Sequence, residues 1–480
     1  EVEQMNLFKD MVCYQEEVRD PSRMAEVLNR VIEKAIRGSA PAQINVPRDY
    51  WTQVVDIELP PIIRLERQAG GAAAINEAAK LLSDSKFPVI LSGAGVVIGG
   101  AINDCVKLAE KLDSPVCSGY QHNDSFPGSH PLAVGPLGYN GSKAAMELIS
   151  KADVVLALGT RLNPFSTLPG YGIDYWPKNA KIIQVDMNSD RIGLTKKVTV
   201  AICGDAKMVS QQLLAKLSPK AGDADRQKRK DLIHQTKSAW LQKLSSLDHE
   251  EDDPGTVWNK EARERDKDRM SPRQAWRAIQ SGMPEDVIIS SDIGNNCAIG
   301  NAYPTFEKGR KYLAPGLFGP CGYGFPAILG AKIGCPETPV IGFAGDGAFG
   351  ISMNEMSSCA RKEWPAITMV IFRNYQWGAE KRNSILWFDD NFVGTELDPE
   401  LSYAKVADAC GLKGVTVRTM EETTKAIKQS CENQKKGITT FIEVILNQEL
   451  GDPFRRDAMK KPVRVAGIQK EDMKAQKNLN

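Results

Sequence analysis

The chain has 480 residues, which is enough for about three domains of ordinary size. Its 61 Lys and Arg residues balance its 60 Asp and Glu residues, so it lacks the net basic field that is typical of nucleic-acid-binding proteins. No apolar run approaches the roughly 18 residues that span a bilayer, and none has a signal-peptide layout, so we expect a cytoplasmic protein that binds neither membrane nor nucleic acid.

The cysteines and histidines do not indicate a metal centre. The ten cysteines are scattered without a C-x-x-C pair, and the four histidines lack metal-type spacing, so a zinc site is not expected. Most cysteines, including Cys203, Cys359 and Cys410, stand in apolar surroundings. We therefore predict buried thiols in a reducing compartment.

Residues 1–60 contain one clear helix. Asp20 is a candidate cap, Pro21 takes the first helical position and Gly38 stands at the end. Apolar residues at helical spacing between them predict one buried face: Met24, Val27, Leu28, Val31, Ile32, Ala35 and Ile36. Residues 42–47 then predict a strand.

Residues 75–218 alternate short apolar runs with helical patterns, which predicts a doubly wound α/β domain. Its predicted strands are Val89–Ser92, Pro115–Ser118, Val154–Leu158, Ile182–Asp186 and Val200–Cys203. The Gly-Ala-Gly at 93–95 indicates either part of a dinucleotide fingerprint or a tight strand-to-helix turn. We favour the turn, because the G-x-G-x-x-G pattern is incomplete and no acidic residue convincingly follows a second strand.

Residues 219–269 are strongly polar, with charge runs at 225–231 and 250–253. We interpret them as a solvated linker with a helix around Leu232–Leu247. Nucleic-acid binding is the alternative, but the mixed signs of the charges disfavour it.

Residues 270–448 predict a further α/β unit, followed by a tail at 449–480. The predicted strands are Val287–Ser290, Val340–Ala344, Ile367–Phe372, Gly414–Val417 and Thr440–Leu446. The tail carries a basic cluster that either closes over a site or is simply solvated: Arg455, Arg456, Lys460, Lys461 and Arg464.

The most informative motif is Gly345-Asp346-Gly347, which ends one of these strands, while Asn374 ends the next. A crossover helix between parallel strands would bring Asp346 and Asn374 to the carboxyl edge of the sheet, where open α/β sheets bind ligands. Carboxylate and amide oxygens suit Mg²⁺, which leaves other positions to water and phosphate. Backbone N–H groups from Gly347 onward can bind an anion. A GDG alone is more often a turn, but with Asn374 it predicts a metal-bridged diphosphate site.

This arrangement resembles the diphosphate motif of thiamine-diphosphate (ThDP) enzymes, in which GDG, a helix and a strand ending in Asn-Asn follow one another. Arg373 stands in place of the first Asn, and Asn374 is the second. The resemblance implies ThDP and Mg²⁺ as cofactors. It also implies Asp346, Asn374 and the backbone carbonyl of Gln376 as metal ligands.

The whole chain looks like the ThDP decarboxylase and acetolactate-synthase superfamily, with an α/β fold of three consecutive doubly wound parallel-sheet domains. The resemblance implies the C-terminal part of a pyrimidine-binding domain at 1–60, a central domain at 75–218 and a diphosphate-binding domain at 270–448. Residues 292–296 match the loop used against the diphosphate, and residues 319–326 match the segment that supports the aminopyrimidine. The implied cofactor-binding residues are Ile293, Gly294, Asn295, Asn296, Cys321, Gly345, Gly347, Ala348 and Gly378.

Besides Arg373, two further departures from the superfamily pattern matter. Cys321 replaces a bulkier residue, so support for the bent cofactor is expected from other side chains. Acetolactate synthases also bind FAD through an Arg-Phe-Asp-Asp-Arg stretch after Leu-Gly. Here Leu158-Gly159-Thr160-Arg161 continues as Leu162-Asn163-Pro164-Phe165, which keeps only the arginine, so bound FAD is not expected.

Within the superfamily, residues 373–383, 387–395 and 454–467 resemble the sulfoacetaldehyde acetyltransferase family. The resemblance implies that sulfoacetaldehyde and phosphate are converted to sulfite and acetyl phosphate, with ThDP as the electron sink. It also implies a homodimer or homotetramer with sites between subunits. Lys381, Arg382 and Asn383 would provide donors for a sulfonate or phosphate, and a solvated helix face is the alternative interpretation.

The superfamily uses an activating glutamate on its first domain, upstream of where this chain begins. We therefore expect the chain to be a C-terminal fragment that is inactive alone, with its catalytic residue unknown. Glu16 and Glu17 lie beyond the expected position and are predicted surface charges. Two alternatives stay open: an acetolactate synthase-like carboligase or decarboxylase, and a non-catalytic ThDP-fold protein.

Overall fold

The structure, a computed structural model, describes residues 2–61, 66–171, 173–217, 224–247, 266–316, 318–361, 363–387 and 391–448. It divides into two compact units, Glu1–Glu66 and Arg67–Asn480. The fold is α/β with parallel sheets, as predicted. Among the described residues, no helix is both long enough and apolar enough to cross a bilayer.

The first unit contains two parallel strands joined by a helix. Its elements are α1 (Gln4–Phe8), β1 (Tyr14–Glu17), α2 (Met24–Gly38) and β2 (Ala42–Asn45), with 3-10 turns at Pro21–Arg23 and Arg48–Thr52. The predicted apolar face of α2 is only partly buried. Val27 and Val31 pack with Val18, whereas Leu28 and Ile32 are exposed.

Both ends of α2 differ in detail from the prediction. Asp20 caps the preceding 3-10 turn, accepting from the Ser22 backbone N–H at 2.9 Å, and the α-helix starts at Met24. Gly38 is the last helical residue, and Ser39, with a φ of 46°, takes the left-handed conformation that ends the helix. A Cβ at position 38 would lie only 3.2 Å from the Cys13 Sγ, which explains why a glycine is accommodated there.

The central sheet has six parallel strands in the order β5-β4-β3-β6-β7-β8. The strands are β3 (Pro88–Ser92), β4 (Val116–Ser118), β5 (Ala133–Pro136), β6 (Val154–Leu158), β7 (Lys181–Asp186) and β8 (Val200–Cys203). Its helices are α3 (Ala72–Asp84), α4 (Ala94–Gly99), α5 (Ile102–Leu112), α6 (Lys143–Ile149) and α7 (Ala206–Lys216). The sequence missed β5, an edge strand that contains Gly135 and Pro136 and therefore lacks a strand-like pattern.

The glycines at 93–95 permit close contact between two loops. The Gly95 N–H donates to the Gly159 carbonyl at 2.8 Å, and a Cβ on Gly95 would lie 2.7 Å from the Gly159 Cα. A Cβ on Gly93 would meet the Gly159 oxygen at 2.6 Å. Tight packing after β3 and β6 therefore accounts for these glycines, in agreement with the turn interpretation.

The prediction that the cysteines are mostly buried is only partly right. Cys359 is buried and Cys410 half-buried, but Cys203 is exposed. Cys203 lies on the edge strand β8, where buried and exposed residues alternate. Apolar neighbours in sequence therefore lie on the opposite face.

The polar segment after the central sheet forms α8 (Ala224–Leu247), which begins earlier than predicted and is not simply solvated. Trp240 and Leu244 are buried. Arg229 is also buried, and donates to the backbone carbonyls of Lys86 and Asp113. The sequence did not indicate these contacts, because the many charged residues of α8 lower its mean hydropathy and obscure its few buried positions.

The last sheet has six parallel strands in the order β10-β9-β11-β12-β14-β13. They are β9 (Ile288–Ser291), β10 (Tyr312–Leu313), β11 (Val340–Gly345), β12 (Thr368–Arg373), β13 (Lys413–Val417) and β14 (Thr440–Ile445). The helices are α9 (Pro272–Gly282), α10 (Asn295–Ile299), α11 (Gly324–Gly334), α12 (Asp346–Ser352), α13 (Met356–Cys359), α14 (Gly378–Trp387), α15 (Tyr403–Ala409) and α16 (Met420–Lys435). The buried apolar strands β11, β12 and β14 match their predictions within one residue, as parallel strands covered on both faces should.

The loop after β4 makes a pH-dependent contribution to stability. Burial, with Arg161 nearby, lowers the pKa of His122 to about 4, whereas an unfolded imidazole titrates near 6.5. The neutral form is favoured in the folded protein, so its contribution is complete above pH ~6.5 and is lost as pH falls towards 4. We expect His122→Gln to reduce the stability loss between pH 7 and pH 5 by about 1–2 kcal/mol. Thermal unfolding at both pH values measures this, and His234→Gln at an exposed position should not change it.

Candidate functional site

A cavity of about 300 Å³ lies at the carboxyl edge of the last sheet. There the chain order reverses between β9 and β11, the point at which open α/β sheets bind ligands. The structure places all the predicted cofactor-binding residues and all three predicted metal ligands around this cavity. They are Ile293, Gly294, Asn295, Asn296, Cys321, Gly345, Asp346, Gly347, Ala348, Asn374, Gln376 and Gly378.

Asp346 begins α12 and is almost completely buried. Its Oδ2 accepts from Arg373 Nη1 at 3.1 Å and from the Tyr375 backbone N–H at 2.7 Å. Its Oδ1 accepts from the Gly347 N–H at 3.0 Å. Burial raises the pKa of Asp346 to about 6, with Arg373 acting in the opposite direction. The carboxylate is thus held firmly at the cavity wall.

Several buried acceptors in the cavity have no partner within the described structure. They include Asn374 Oδ1, Gln376 Oε1 and the side-chain oxygen of Asn296, while both side-chain polar atoms of Asn295 are unpaired. Buried polar groups are nearly always paired, so such a cluster indicates a place for a polar ligand. One carboxylate with neutral oxygen donors fits a hard cation such as Mg²⁺.

The amides around this cavity converge on Gly378. A Cβ built there would lie 3.2 Å from Asn295 Nδ2, 3.5 Å from Gln376 Nε2 and 3.8 Å from Asn374 Nδ2. A glycine therefore keeps the space between the loops after β9 and β12 open. At Gly347, an added Cβ would lie 2.8 Å from the Trp377 ring, so this wall is equally close-packed.

Asp292, which the sequence did not single out, organises the loop after β9. Its Oδ1 accepts from the N–H groups of Ile293 and Gly322, and its Oδ2 from that of Gly324. The buried carboxylate thereby ties the 292–296 loop to the 319–326 segment. From the other side, the Trp276 indole N–H donates to the Asn296 carbonyl at 2.7 Å. The loop is therefore rigidly supported, as ligand-binding geometry requires.

The three predicted substrate residues do not share one environment. Asn383 lines the cavity, together with Glu380. Lys381 is completely buried and pairs with Glu396, so it is neither a solvated helix residue nor part of the cavity lining. Arg382 is also buried outside the lining, and donates to the Tyr139 hydroxyl. Of the three predicted donors, only Asn383 therefore lines the cavity.

An aromatic wall from the central domain, missed by sequence analysis, faces the same cavity. We define the aromatic wall as Tyr120, Tyr139 and Phe165. Tyr120 stacks on Phe165 with ring centroids 5.9 Å apart, and lies 6.2 Å from Tyr139. Asn301 fixes the position of the aromatic wall by donating to the Tyr139 carbonyl at 3.1 Å and accepting from the Gln121 N–H, next to Tyr120, at 3.1 Å. No local motif could reveal a wall made from three loops.

Some predicted features lie outside the described residues. These are the basic tail cluster, Arg455, Arg456, Lys460, Lys461 and Arg464, and part of the 387–395 segment. Within the described ranges, no three His, Cys, Asp or Glu side chains gather as a metal site. The cavity's donor set, with Asp346 as its carboxylate, leaves room for ligand oxygens around a cation.

Comparison with known proteins gives matches over most of the chain. Residues 75–213 match the family described as thiamine pyrophosphate enzyme, central domain, and residues 292–444 match the thiamine pyrophosphate enzyme, C-terminal TPP binding domain. A probable sulfoacetaldehyde acetyltransferase from Rhizobium meliloti is 76% identical over 479 residues, covering 100% of this chain and 81% of the relative.

Two further relatives set the range of similarity. A sulfoacetaldehyde acetyltransferase from Roseovarius nubinhibens is 73% identical, covering 99% of this chain and 79% of the relative. A probable acetolactate synthase large subunit from Methanocaldococcus jannaschii is 29% identical, covering 90% of this chain and 71% of the relative. The similarity to the acetyltransferases is thus much higher.

Proposed function

Because the chain belongs to the thiamine pyrophosphate enzymes, within the sulfoacetaldehyde acetyltransferase family, we propose that it converts sulfoacetaldehyde and phosphate to sulfite and acetyl phosphate using ThDP and Mg²⁺. The unpaired buried oxygens beside Asp346 are the observation that carries the cofactor assignment. Such oxygens suit a cation, which binds to their lone pairs, whereas the unpaired Asn295 Nδ2 can donate to a diphosphate oxygen.

Asp346, Asn374 and Gln376 are the proposed metal ligands. Gln376 contributes its backbone carbonyl, as the resemblance implies, and its unpaired side-chain Oε1 is a second available donor. Asn295 and the backbone from Gly347 to Ala348 would bind the diphosphate oxygens, since the Asn295 Nδ2 has no partner among the described residues. These roles divide the cavity between a metal side and an anion side.

When bound, ThDP supplies the nucleophile and electron sink for cleavage of the bond between carbon and the sulfonate group. The chain's own residues shape the space in which this occurs. The rings of the aromatic wall form part of the cavity lining and would exclude water there, and Asn383 offers a neutral hydrogen-bonding group to the substrate. Arg382 does not line the cavity itself, but it orients the hydroxyl of Tyr139, which belongs to the aromatic wall.

The assembly and compartment are further parts of the proposal. Phe318, which precedes the Gly319–Pro326 segment in sequence, is 93% exposed. Ile351, whose side chain lies 3.1 Å from a Cβ built on Gly322 in that segment, is 57% exposed. A second copy covering this apolar surface would give the homodimer or homotetramer that the resemblance implies. The ten free thiols suit a reducing cytoplasm.

A direct assay tests the reaction. The full-length protein would receive sulfoacetaldehyde, phosphate, ThDP and Mg²⁺, and sulfite and acetyl phosphate would be measured together. Equal release of both, dependent on ThDP and Mg²⁺, is the expected result. Acetolactate from pyruvate without sulfite would instead identify a carboligase, and neither product would favour a non-catalytic protein.

We expect Asn383→Trp to reduce kcat/KM for sulfoacetaldehyde at least about tenfold, because the larger ring fills the cavity that Asn383 lines. ThDP affinity should change little, since Asn383 is not among the residues proposed to bind the diphosphate. Ser384→Trp is the matched control, because Ser384 is the next residue of α14 and does not line the cavity. Equal losses in the two variants would contradict a substrate-facing position for Asn383.

A further inference from the structure

Arg373 is the main departure of this chain from the motif of its superfamily, and the structure shows what it does there. The side chain is 1% exposed and donates to Asp346 Oδ2 at 3.1 Å. Its Nη2 donates to the carbonyls of Asp398 and Leu401. Glu443 Oε1 lies 3.8 Å from its Nε. An asparagine could not make this set of contacts.

Two aromatic rings hold the guanidinium in place. It lies 4.2 Å from the centroid of Tyr375 and 5.4 Å from that of Tyr403. The Tyr403 hydroxyl also donates to the Asp346 carbonyl at 3.0 Å. Glu443 has its own neutral donors, Ser402 Oγ at 2.7 Å and the Tyr403 N–H at 3.1 Å. Arg373 is thus a fixed charge, directed at Asp346.

These contacts limit what Asp346 can still bind. An ionised carboxylate offers about four acceptor positions, two on each oxygen. Oδ2 already accepts from Arg373 and the Tyr375 N–H, and Oδ1 from the Gly347 N–H. One position on Oδ1 therefore remains, which is enough for a single bond to a cation.

We propose that Arg373 is a positioning residue that fixes Asp346 as a single-oxygen ligand and offsets its charge, so that a divalent cation is retained only together with the diphosphate. The inference rests on the proposed ThDP–Mg²⁺ site. Relative to asparagine, Arg373 adds one positive charge beside the ligand carboxylate, and the other proposed ligands are neutral. Glu380 also lines the cavity but is not one of the proposed ligands, so the negative charge that holds the cation comes mainly from the diphosphate, which makes the binding of the two strongly cooperative.

Metal binding by the full-length protein tests this inference without an activity assay. The Kd of Mn²⁺ is measured by titration with and without saturating ThDP. For the wild type we expect Mn²⁺ to bind at least about a hundredfold more tightly with ThDP. In Arg373→Asn and Arg373→Gln, Mn²⁺ without ThDP should bind about tenfold more tightly than in the wild type, and the effect of ThDP should shrink accordingly.

Additional variants separate charge from folding. Arg373→Gln is also neutral but keeps a longer side chain with an amide donor, so it provides the test if Arg373→Asn does not fold. Arg373→Lys keeps the charge and should retain weak Mn²⁺ binding without ThDP. Arg229→Gln removes another buried arginine, one bonded to backbone carbonyls beside the central sheet, and should change neither Kd.

The outcomes are distinguishable. If the wild type binds no Mn²⁺ even with ThDP, the proposed cofactor site fails, and the inference fails with it. If the wild type binds Mn²⁺ with ThDP, but Arg373→Gln shows the same dependence on ThDP, the cofactor site stands and the role of Arg373 is overturned. Tighter ThDP-free binding in both neutral variants, but not in Arg373→Lys, supports the inference.

Discussion

Replacing Asp346 with asparagine should lower ThDP-dependent sulfite release at least about a thousandfold, equivalent to about 4 kcal/mol in transition-state stabilisation. Asp346 provides the carboxylate among the proposed metal ligands, and Asn374 and Gln376 provide neutral oxygens. An amide keeps the shape and one acceptor oxygen but loses the charge that attracts the cation. Sulfite and acetyl phosphate should fall together, because both depend on the same bound cofactor.

A buried aspartate elsewhere controls for the change in charge. Asp205 is 3% exposed and caps α7 by accepting from the N–H groups of Lys207 and Met208. Because asparagine is also a good N-cap, Asp205→Asn should fold and keep full activity. Asp346→Asn leaves Arg373 without its charged partner, so folding must be checked by circular dichroism. Full activity in a folded Asp346→Asn protein would exclude Asp346 as a necessary metal ligand.

The strands that position the site were predictable because they are buried on both faces. Continuous apolar runs mark β11 and β12 regardless of their neighbours, and the carboxyl ends of these two strands locate Asp346 and Asn374. Three strands were missed: β5 and β10 lie at sheet edges and are short or contain Gly and Pro, and β1 is a four-residue, mainly polar strand of the two-stranded sheet. Edge strands have no such uniform pattern.

Side-chain partners from distant segments were not predictable. Lys381 was expected near the substrate, yet it is buried against Glu396 and Gln448, which no spacing in α14 could indicate. Likewise, the sequence shows Arg373 only as a substitution in the motif. Its contacts with Asp346, Glu443 and two tyrosines are seen only in the structure. Sequence patterns identify which edge of a sheet binds ligands, but the direction of each polar side chain depends on tertiary contacts.

Gly138→Ala should destabilise the protein by about 3 kcal/mol or more, the largest effect on stability that we expect from a single added methyl group. Gly138 has a φ of 79°, and a Cβ there would lie 1.8 Å from the Phe165 carbonyl oxygen and 2.8 Å from the Ser166 Cα. Neither backbone atom can move aside without moving the loop. The Tyr139 N–H donates to the same carbonyl at 3.0 Å, so the aromatic wall would shift with it.

Gly193→Ala is the control variant, because it introduces the backbone strain without the clash. Gly193 has a φ of 75°, close to that of Gly138, but an added Cβ would meet nothing within 4 Å. It should therefore show only the left-handed penalty of about 1 kcal/mol. Thermal unfolding compares the two variants, and the KM for sulfoacetaldehyde reports the aromatic wall, which only Gly138→Ala should disturb. If both variants unfold at the same temperature, the close approach of Gly138 to Phe165 does not determine stability. A KM raised in Gly138→Ala alone would link this backbone contact to the shape of the cavity.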